Sequence, residues 1–326
     1  MSATEERTAL VTGASGYVGG ELVPRLLDAG WKVRVITRNA ASLRDRPWGS
    51  AVEIVEGDAD DPQILEQALR GAEVAYYLIH SMAGGSDFAS RDRELAHSFA
   101  AVADAEGVRR IVYLGGLHPD GEELSPHLAS RVEVGEIFLR TPVPAAVLQA
   151  AVVLGAGSIS FQMLRYLSDR LPVMLAPRWL RNRIQPIGIE DLLHYLLRAA
   201  DLPDEVNRSF DVGGPEVLTY ADMIQRFAAV TGLRSRWVIT VPVLTPGLAS
   251  RWIGLVTPLD TKVARPLVDS LVHEVVCRDD ADQVLGAPPE PTGYDDAVRA
   301  AMARVGPDRF VVLRRPGSAG TDPSPR

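Results

Sequence analysis

The apolar run Thr8-Ala9-Leu10-Val11-Thr12 passes without a spacer into Gly13-Ala14-Ser15-Gly16-Tyr17-Val18-Gly19. Behind it Val18, Leu22 and Leu26 recur at helical spacing. A strand that turns through three glycines directly into a helix restricts the chain to folds made of strand–helix units on a parallel sheet. Each glycine has its own task. Gly13 permits the tight turn, Gly16 lets backbone approach a pyrophosphate, and Gly19 lets helix and strand pack closely. The helix N-terminus then offers N–H groups and positive dipole to an anion. With Ser15, Tyr17 and Val18 completing the loop, the ligand this pattern implies is a dinucleotide.

The rest of the first half keeps the alternation. Strands are predicted at 32–37, 52–56, 73–79, 110–114 and 145–154, the last a nearly unbroken apolar run. The first helix is predicted to end at Gly30, and others to start near Pro62 and Asp87. Pro24 falls inside the first helix but off its apolar stripe, which predicts a kink on the outer face. After Gly155 the alternation loosens. A helix carries Phe161, Leu164 and Leu167, a Pro- and Arg-rich stretch covers 171–186, and a second helix opens at Ile187-Gly188-Ile189-Glu190-Asp191. A strand at 208–213 and a capped helix over 219–232 follow. The expected architecture is α/β: a Rossmann, doubly wound parallel sheet over 1–154, then a smaller C-terminal substrate or cap region over 155–314. The strand at 208–213 should return to the main sheet, and the Pro-, Gly- and Ser-rich tail 315–326 should be disordered.

Composition narrows the class. A formal charge of −8 excludes non-specific nucleic-acid binding, which needs a basic surface. The single cysteine, Cys277, excludes an internal disulfide and fits a reducing cytoplasm, and no basic start followed by an apolar run predicts export. The longest apolar stretch, Trp237 to Leu259, is broken by Pro242, Pro246, Gly247, Arg251 and Pro258. It is therefore not an uninterrupted membrane span, and reads as a cap over a pocket, an edge that touches a membrane, or irregular core packing. No Cys/His cluster has metal-ligand spacing and no G-x-S-x-G elbow occurs. Oligomeric state has no signature.

These features in this order resemble the extended and atypical short-chain dehydrogenase/reductases. Thr12 to Gly19 matches the TGxxGxxG fingerprint, and Gly57-Asp58-Ala59-Asp60-Asp61 the GDxxD after the third strand. Ile187 to Asp191 is similar to the late V-x-D helix start, and Phe210-Asp211-Val212-Gly213-Gly214-Pro215 to the Y-N-V-G-G strand. Tyr77-Leu78-Ile79-His80-Ser81-Met82, Gly155-Ala156-Gly157-Ser158 and Pro177-Arg178-Trp179 resemble an NmrA-like NAD(P)-binding branch. The resemblance implies an NAD(P)-dependent oxidoreductase acting on a small or lipophilic molecule, or a non-catalytic NADP(H)-binding sensor or assembly factor. It also implies that Asp58 and Ala59 meet the adenine, and places Leu78, Ile79 and His80 on the cofactor cleft.

The end of the second strand distinguishes the two cofactors. An acid there binds the ribose 2′-hydroxyl of NAD(H), whereas an arginine accommodates the 2′-phosphate of NADP(H). The chain reads Val35-Ile36-Thr37-Arg38-Asn39, so Arg38 favours NADP(H), with NAD(H) the weaker alternative. Arginine is, however, the general cation here: of 34 basic residues only Lys32 and Lys262 are lysines. The Tyr-x-x-x-Lys pair of the better-known family members is absent, since no tyrosine has lysine four residues ahead. At its place stands His127-Leu128-Ala129-Ser130-Arg131, and the preceding strand ends in Gly115-Gly116 rather than Ser or Thr. His127 and Arg131 lie one turn apart on one helix face, His127 as candidate general acid and Arg131 as candidate ribose holder. His80, Met82 and His118 are expected to wall the nicotinamide side. Arg178, Arg181 and Arg183 are expected either to meet an anionic substrate or to form a solvated face.

Overall fold

Alternation along Thr8–Val11 (β1) sends Ala9 and Val11 into one apolar cluster and Leu10 into another. A strand buried on both faces belongs inside a parallel sheet covered by helices. The computed structural model, which describes residues 7–79, 88–241, 268–269, 271–278 and 281–305, has that arrangement. A seven-stranded parallel sheet is formed by β1, Lys32–Thr37 (β2), Glu53–Glu56 (β3), Val74–Tyr77 (β4), Arg110–Gly116 (β5), Ala145–Ala150 (β6) and Arg208–Val212 (β11). Its order is β11-β6-β5-β4-β1-β2-β3. The order reverses between β1 and β4, and that switch point opens the cleft at the strands' C-terminal ends.

Helices Tyr17–Asp28 (α1) and Ile189–Ala200 (α7) cover one face of the sheet. Pro62–Leu69 (α3), Phe88–Ala105 (α4) and Pro126–Leu139 (α5) cover the other. The short Ala40–Arg44 (α2) follows β2. Asp61 caps α3 by accepting from the Gln63 N–H at 2.9 Å. Gly30, at φ +84°, ends α1 with its N–H on the Leu27 carbonyl. α1 runs through Pro24, which has no N–H for the Gly20 carbonyl one turn back. The Trp48 indole N–H donates to that carbonyl instead, at 3.2 Å.

The apolar run 145–154 is not one strand. β6 stops at Ala150, where β5 ends beside it, and Val153–Leu154 (β7) pairs with Ile187–Gly188 (β10) in a separate two-stranded sheet. Both pieces are largely buried, so hydrophobicity carries no mark of the break. The strand at 208 does return to the main sheet beside β6. Buried Arg110 anchors the loop before it by donating to the carbonyls of Val206 at 2.8 Å and Pro203 at 2.6 Å.

A third apolar cluster joins Ile159–Arg170 (α6), Val173–Pro177 (β8), Arg183–Ile184 (β9), Tyr220–Val230 (α8) and Tyr294–Val305 (α9). Leu218–Thr219 (β12) pairs with β9, and Trp237–Val241 (β13) pairs parallel with β8. Thr219 and Asp222 form a reciprocal capping box on α8. Among the described residues no helix is long and apolar enough to cross a membrane. The expected tail 315–326, and Trp237 to Leu259 beyond 241, lie outside the described residues.

Candidate functional site

Thr12 fixes the mouth of the cleft. Its hydroxyl donates to the Tyr76 carbonyl and accepts from the Leu78 N–H, both at 3.0 Å, locking the end of β1 to that of β4. The chain then turns at Gly13, whose φ is +70° and where a Cβ would lie 2.8 Å from the Leu78 carbonyl oxygen. At Gly19 a Cβ would lie 2.4 Å from the Gly13 oxygen. Both glycines are therefore required by the protein's own backbone. At Gly16 the closest atom to a Cβ would be the Gly13 oxygen at 3.2 Å, a tight approach but a less prohibitive one than at Gly13 or Gly19. No side chain caps α1 at Gly16. Gly13 and Gly16 thus form a cradle that side chains would fill, at a helix N-terminus whose dipole favours an anion.

A cavity of ≈ 340 Å³ opens beside this loop. It brings together Gly13, Gly16, Tyr17, Val18, Gly19, Leu78, His127 and Arg131 from the expected set. Ser15, Arg38, Asp58, Ala59 and Ile79 are not in its wall, although Arg38, Asp58 and Ile79 follow the C-terminal ends of β2, β3 and β4. Arg38 is exposed and makes no ion pair among the described residues. The Asp58 carboxylate accepts from the Asp60 N–H at 3.3 Å, and Ala59 is buried. Since Asp61 is the cap of α3, Asp58 is left free of that task. His80 and Met82 lie outside the described residues.

His127 is buried, at 9 % exposure. Desolvation, with a smaller contribution from the Arg131 charge, pushes its pKa down to about 4. At neutral pH it is therefore a neutral imidazole that can donate an N–H but holds no spare proton. One turn on, an Nη of Arg131 donates to the Leu114 carbonyl at 2.9 Å, while its Nε has no hydrogen-bond partner among the described residues. Gly116 makes room for this pair: a Cβ there would meet the Leu128 side chain at 2.8 Å and Arg131 Nε at 3.5 Å. The Tyr113 hydroxyl donates to the Arg131 carbonyl at 3.1 Å, and burial pushes its pKa up to about 12. Tyr17, the tyrosine in the cavity wall, is likewise pushed up to about 12, by burial first and then by Glu21. Neither is an acid–base group at neutral pH. His118 is not in the wall. Its Nδ1 lies 3.1 Å from the Pro119 carbonyl and its Nε2 3.2 Å from the Gln149 amide nitrogen, which places its proton on Nδ1.

Apart from Ser158 and Ser160, the remaining wall is mainly aliphatic and comes from distant parts of the chain, among them Leu117, Val152, Met163, Ile184, Leu271 and Val275. Glycines admit these segments. A Cβ at Gly213 would lie 2.7 Å from Cys277 Sγ, and one at Gly214 2.6 Å from the Pro186 oxygen. Gln185 stitches the crossing, accepting from the Cys277 N–H at 3.0 Å and donating to the Gly214 carbonyl at 2.8 Å. Asp191 holds Thr292 through its N–H at 2.9 Å and its hydroxyl at 3.0 Å. Gly155 and Gly157 accommodate the Tyr17 ring, which a Cβ at either would strike within 2.4 Å. Arg183 is engaged by Glu274 at 3.0 Å rather than aimed at a substrate.

Sequence reasoning missed Arg46. Its guanidinium donates to the Ser15 carbonyl at 3.3 Å, which sets a cation against the glycine loop. Nothing in its local sequence distinguishes it from the other exposed arginines.

Residues 13–164 match the NAD(P)H-binding domain family. The Citrobacter sp. triphenylmethane reductase, solved with NADP(H), superposes with a TM-score of 0.69 over 90 % of this chain and 99 % of that one, at 18 % identity. The ceramide reductase of Caulobacter vibrioides is 29 % identical over 78 % of this chain and 81 % of its own length. A photosystem II assembly factor of Trieres chinensis is 22 % identical over 75 % of each. A (4-alkanoyl-5-oxo-2,5-dihydrofuran-3-yl)methyl phosphate reductase of Streptomyces griseus is 37 % identical, over only 35 % of this chain and 37 % of that protein. The extended short-chain dehydrogenase/reductase resemblance thus holds for the fold and for the cofactor domain.

Proposed function

We propose that this protein is an NADP(H)-dependent reductase of a lipophilic small molecule, working without the Tyr-x-x-x-Lys pair in a reducing, cytoplasmic compartment. The observation that carries the reading is one cavity: its wall joins the glycine cradle, His127 and Arg131 to a far side of aliphatic residues. Arg38, assisted by Arg46, would receive the 2′-phosphate, and Asp58 and Ala59 the adenine side. Leu78, Ile79 and His80 would flank the cofactor beyond β4, and residues 155–314 would form the substrate side. When bound, NADPH supplies a hydride from its nicotinamide ring.

Arg131 would hold the ribose and present positive charge to a substrate oxygen that becomes negative on reduction. His127 donates its N–H to that oxygen as a hydrogen bond, and solvent supplies the proton. The aliphatic wall selects apolar substrates. The experiment is NADPH oxidation against a panel of lipophilic aldehydes, ketones, quinones and enones. Turnover is expected, reduced about 10²-fold or more by His127→Ala with NADPH affinity retained, whereas Arg131→Ala weakens both.

A second reading has its own support. No tyrosinate, lysine or protonated histidine is available at neutral pH in the described cavity wall, and one relative is an assembly factor. Tight NADPH binding with no oxidation across the panel would favour a cofactor-binding sensor or assembly factor.

A further inference from the structure

The ribbon of β8 and β13 has two unlike faces. Met174 and Ala176 are buried in the same apolar cluster as the cavity residues Met163 and Ile184, and Val238 packs against it. On the alternating outer positions, Trp237 is 70 % exposed, Val173 51 % and Ile239 46 %. Trp237 and Val173 are direct register partners, and Ile239 lies two residues beyond Trp237 on the same face. They are three of the most exposed large apolar side chains among the described residues, and they lie together.

The two segments that form the ribbon are rich in arginine. Between 170 and 183 the sequence carries Arg170, Arg178, Arg181 and Arg183 and no acid; between 223 and 241 it carries Arg226, Arg234 and Arg236 and no acid. Arg170, Arg178, Arg181 and Arg234 are exposed, whereas Arg236 is buried with its Nε on the Ser168 carbonyl at 2.7 Å. Arg183 is paired with Glu274, and Arg226 with Glu216 and Asp295, so the exposed cations beside the ribbon that make no ion pair among the described residues include Arg178 and Arg234.

We propose that the outer face of the β8–β13 ribbon docks on an anionic lipid bilayer, with Trp237, Ile239 and Val173 entering the interface and Arg178 and Arg234 meeting the headgroups. Tryptophan is suited to the boundary between headgroup and acyl chain, and arginines beside it gain from the negative surface potential of the cytoplasmic leaflet. A second copy is a poor occupant, because two such faces would oppose arginine to arginine. Because the ribbon's inner face belongs to the cluster that lines the cavity, docking would bring the cavity next to a reservoir of lipophilic molecules.

The test is co-sedimentation of the full chain with phosphatidylcholine vesicles with or without about one-third phosphatidylglycerol. The wild type is expected to bind only the anionic vesicles and to be released by high salt. Trp237→Ser with Ile239→Ser should weaken binding by about tenfold or more, and Arg178→Gln or Arg234→Gln by about fivefold each. Val284→Ser, at an exposed apolar site off the ribbon, should change nothing. NADPH affinity and thermal melting, unchanged in each variant, establish that the fold is intact. Absent binding to anionic vesicles overturns the proposal, as does binding that survives the double serine variant. Light scattering that shows a dimer dissociated by that variant, without vesicle binding, also overturns it and assigns the face to self-association. None of these outcomes bears on the reductase reading, which vesicle binding does not measure.

Discussion

The two walls of the cavity are built on opposite principles. The near wall, Gly13 to Gly19, is made largely of backbone, and at Gly13 and Gly19 the missing side chains are demanded by contacts within 3 Å. The far wall, with Met163, Ile184, Leu271 and Val275, is made of side chains, those of Ile184 and Val275 coming from segments that pass close to Gly213 and Gly214. The near wall has one solution, so it is local, recognisable and intolerant. The far wall has many, since any aliphatic residue of suitable volume serves. Under the proposed function, one wall would fix the cofactor and the other could change substrate without disturbing it.

The largest expected effect separates them. Gly16→Val should weaken dinucleotide binding at least about a hundredfold by calorimetry while lowering the melting temperature less than Gly19→Val, because a Cβ would lie 3.2 Å from the Gly13 oxygen at Gly16 and 2.4 Å at Gly19. Met163→Ala should leave NADPH affinity within about twofold while altering KM for an apolar substrate. If both substitutions weaken NADPH equally, the walls are not independent.

His127 sharpens the boundary between them. Its folded pKa, about 4, lies below the ordinary 6.5, so the fold prefers the neutral imidazole. Its stabilising contribution is full above pH 6.5 and is lost as pH falls from 6.5 towards 4, when the unfolded chain takes up a proton that the folded one refuses. The loss amounts to up to about 3 kcal/mol. Urea midpoints of the wild type and His127→Gln, compared at about pH 7.5 and about pH 4.5, should show the wild type losing more. Parallel losses would mean that the imidazole is charged in the fold.

A smaller effect tests recognition outside the cavity. NADPH should bind at least about tenfold more tightly than NADH, and Arg38→Ala should narrow the ratio by weakening NADPH. Arg46→Ala should narrow it further. Equal affinities in the wild type would return Arg38 to the general arginine excess.

Much of the near wall was readable because its determinants are local. The strand–glycine–helix order, the C-cap at Gly30, the returning strand at 208 and the turn-spaced pair His127/Arg131 all follow from short-range rules. The break inside 145–154 was not readable, because a strand buried in one sheet and a strand buried in the next are equally apolar. The protonation state of His127 was not readable either: spacing places an imidazole on a face, but burial sets its charge. Arg46 became visible only through its 3.3 Å contact with the Ser15 carbonyl. Pro24 looked like a fault, and its remedy, Trp48, lies far along the sequence beyond the second strand.

That remedy gives the smallest expected effect. Trp48→Phe should cost about 1 kcal/mol by leaving the Gly20 carbonyl without its donor. The same substitution in a Pro24→Ala background should cost less, since the alanine restores the backbone N–H that proline lacks. Equal costs in the two backgrounds would detach Trp48 from Pro24.

The central claim is that the glycine cradle delivers the reactive end of NADP(H) into the apolar cavity. A crystal structure with NADPH bound tests it directly. The pyrophosphate is expected over Gly16, the 2′-phosphate on Arg38, and the nicotinamide ring beside His127 and Arg131, facing Met163 and Leu271. A nicotinamide ring outside that cavity, or one packed against protein with no space for a substrate, would contradict it.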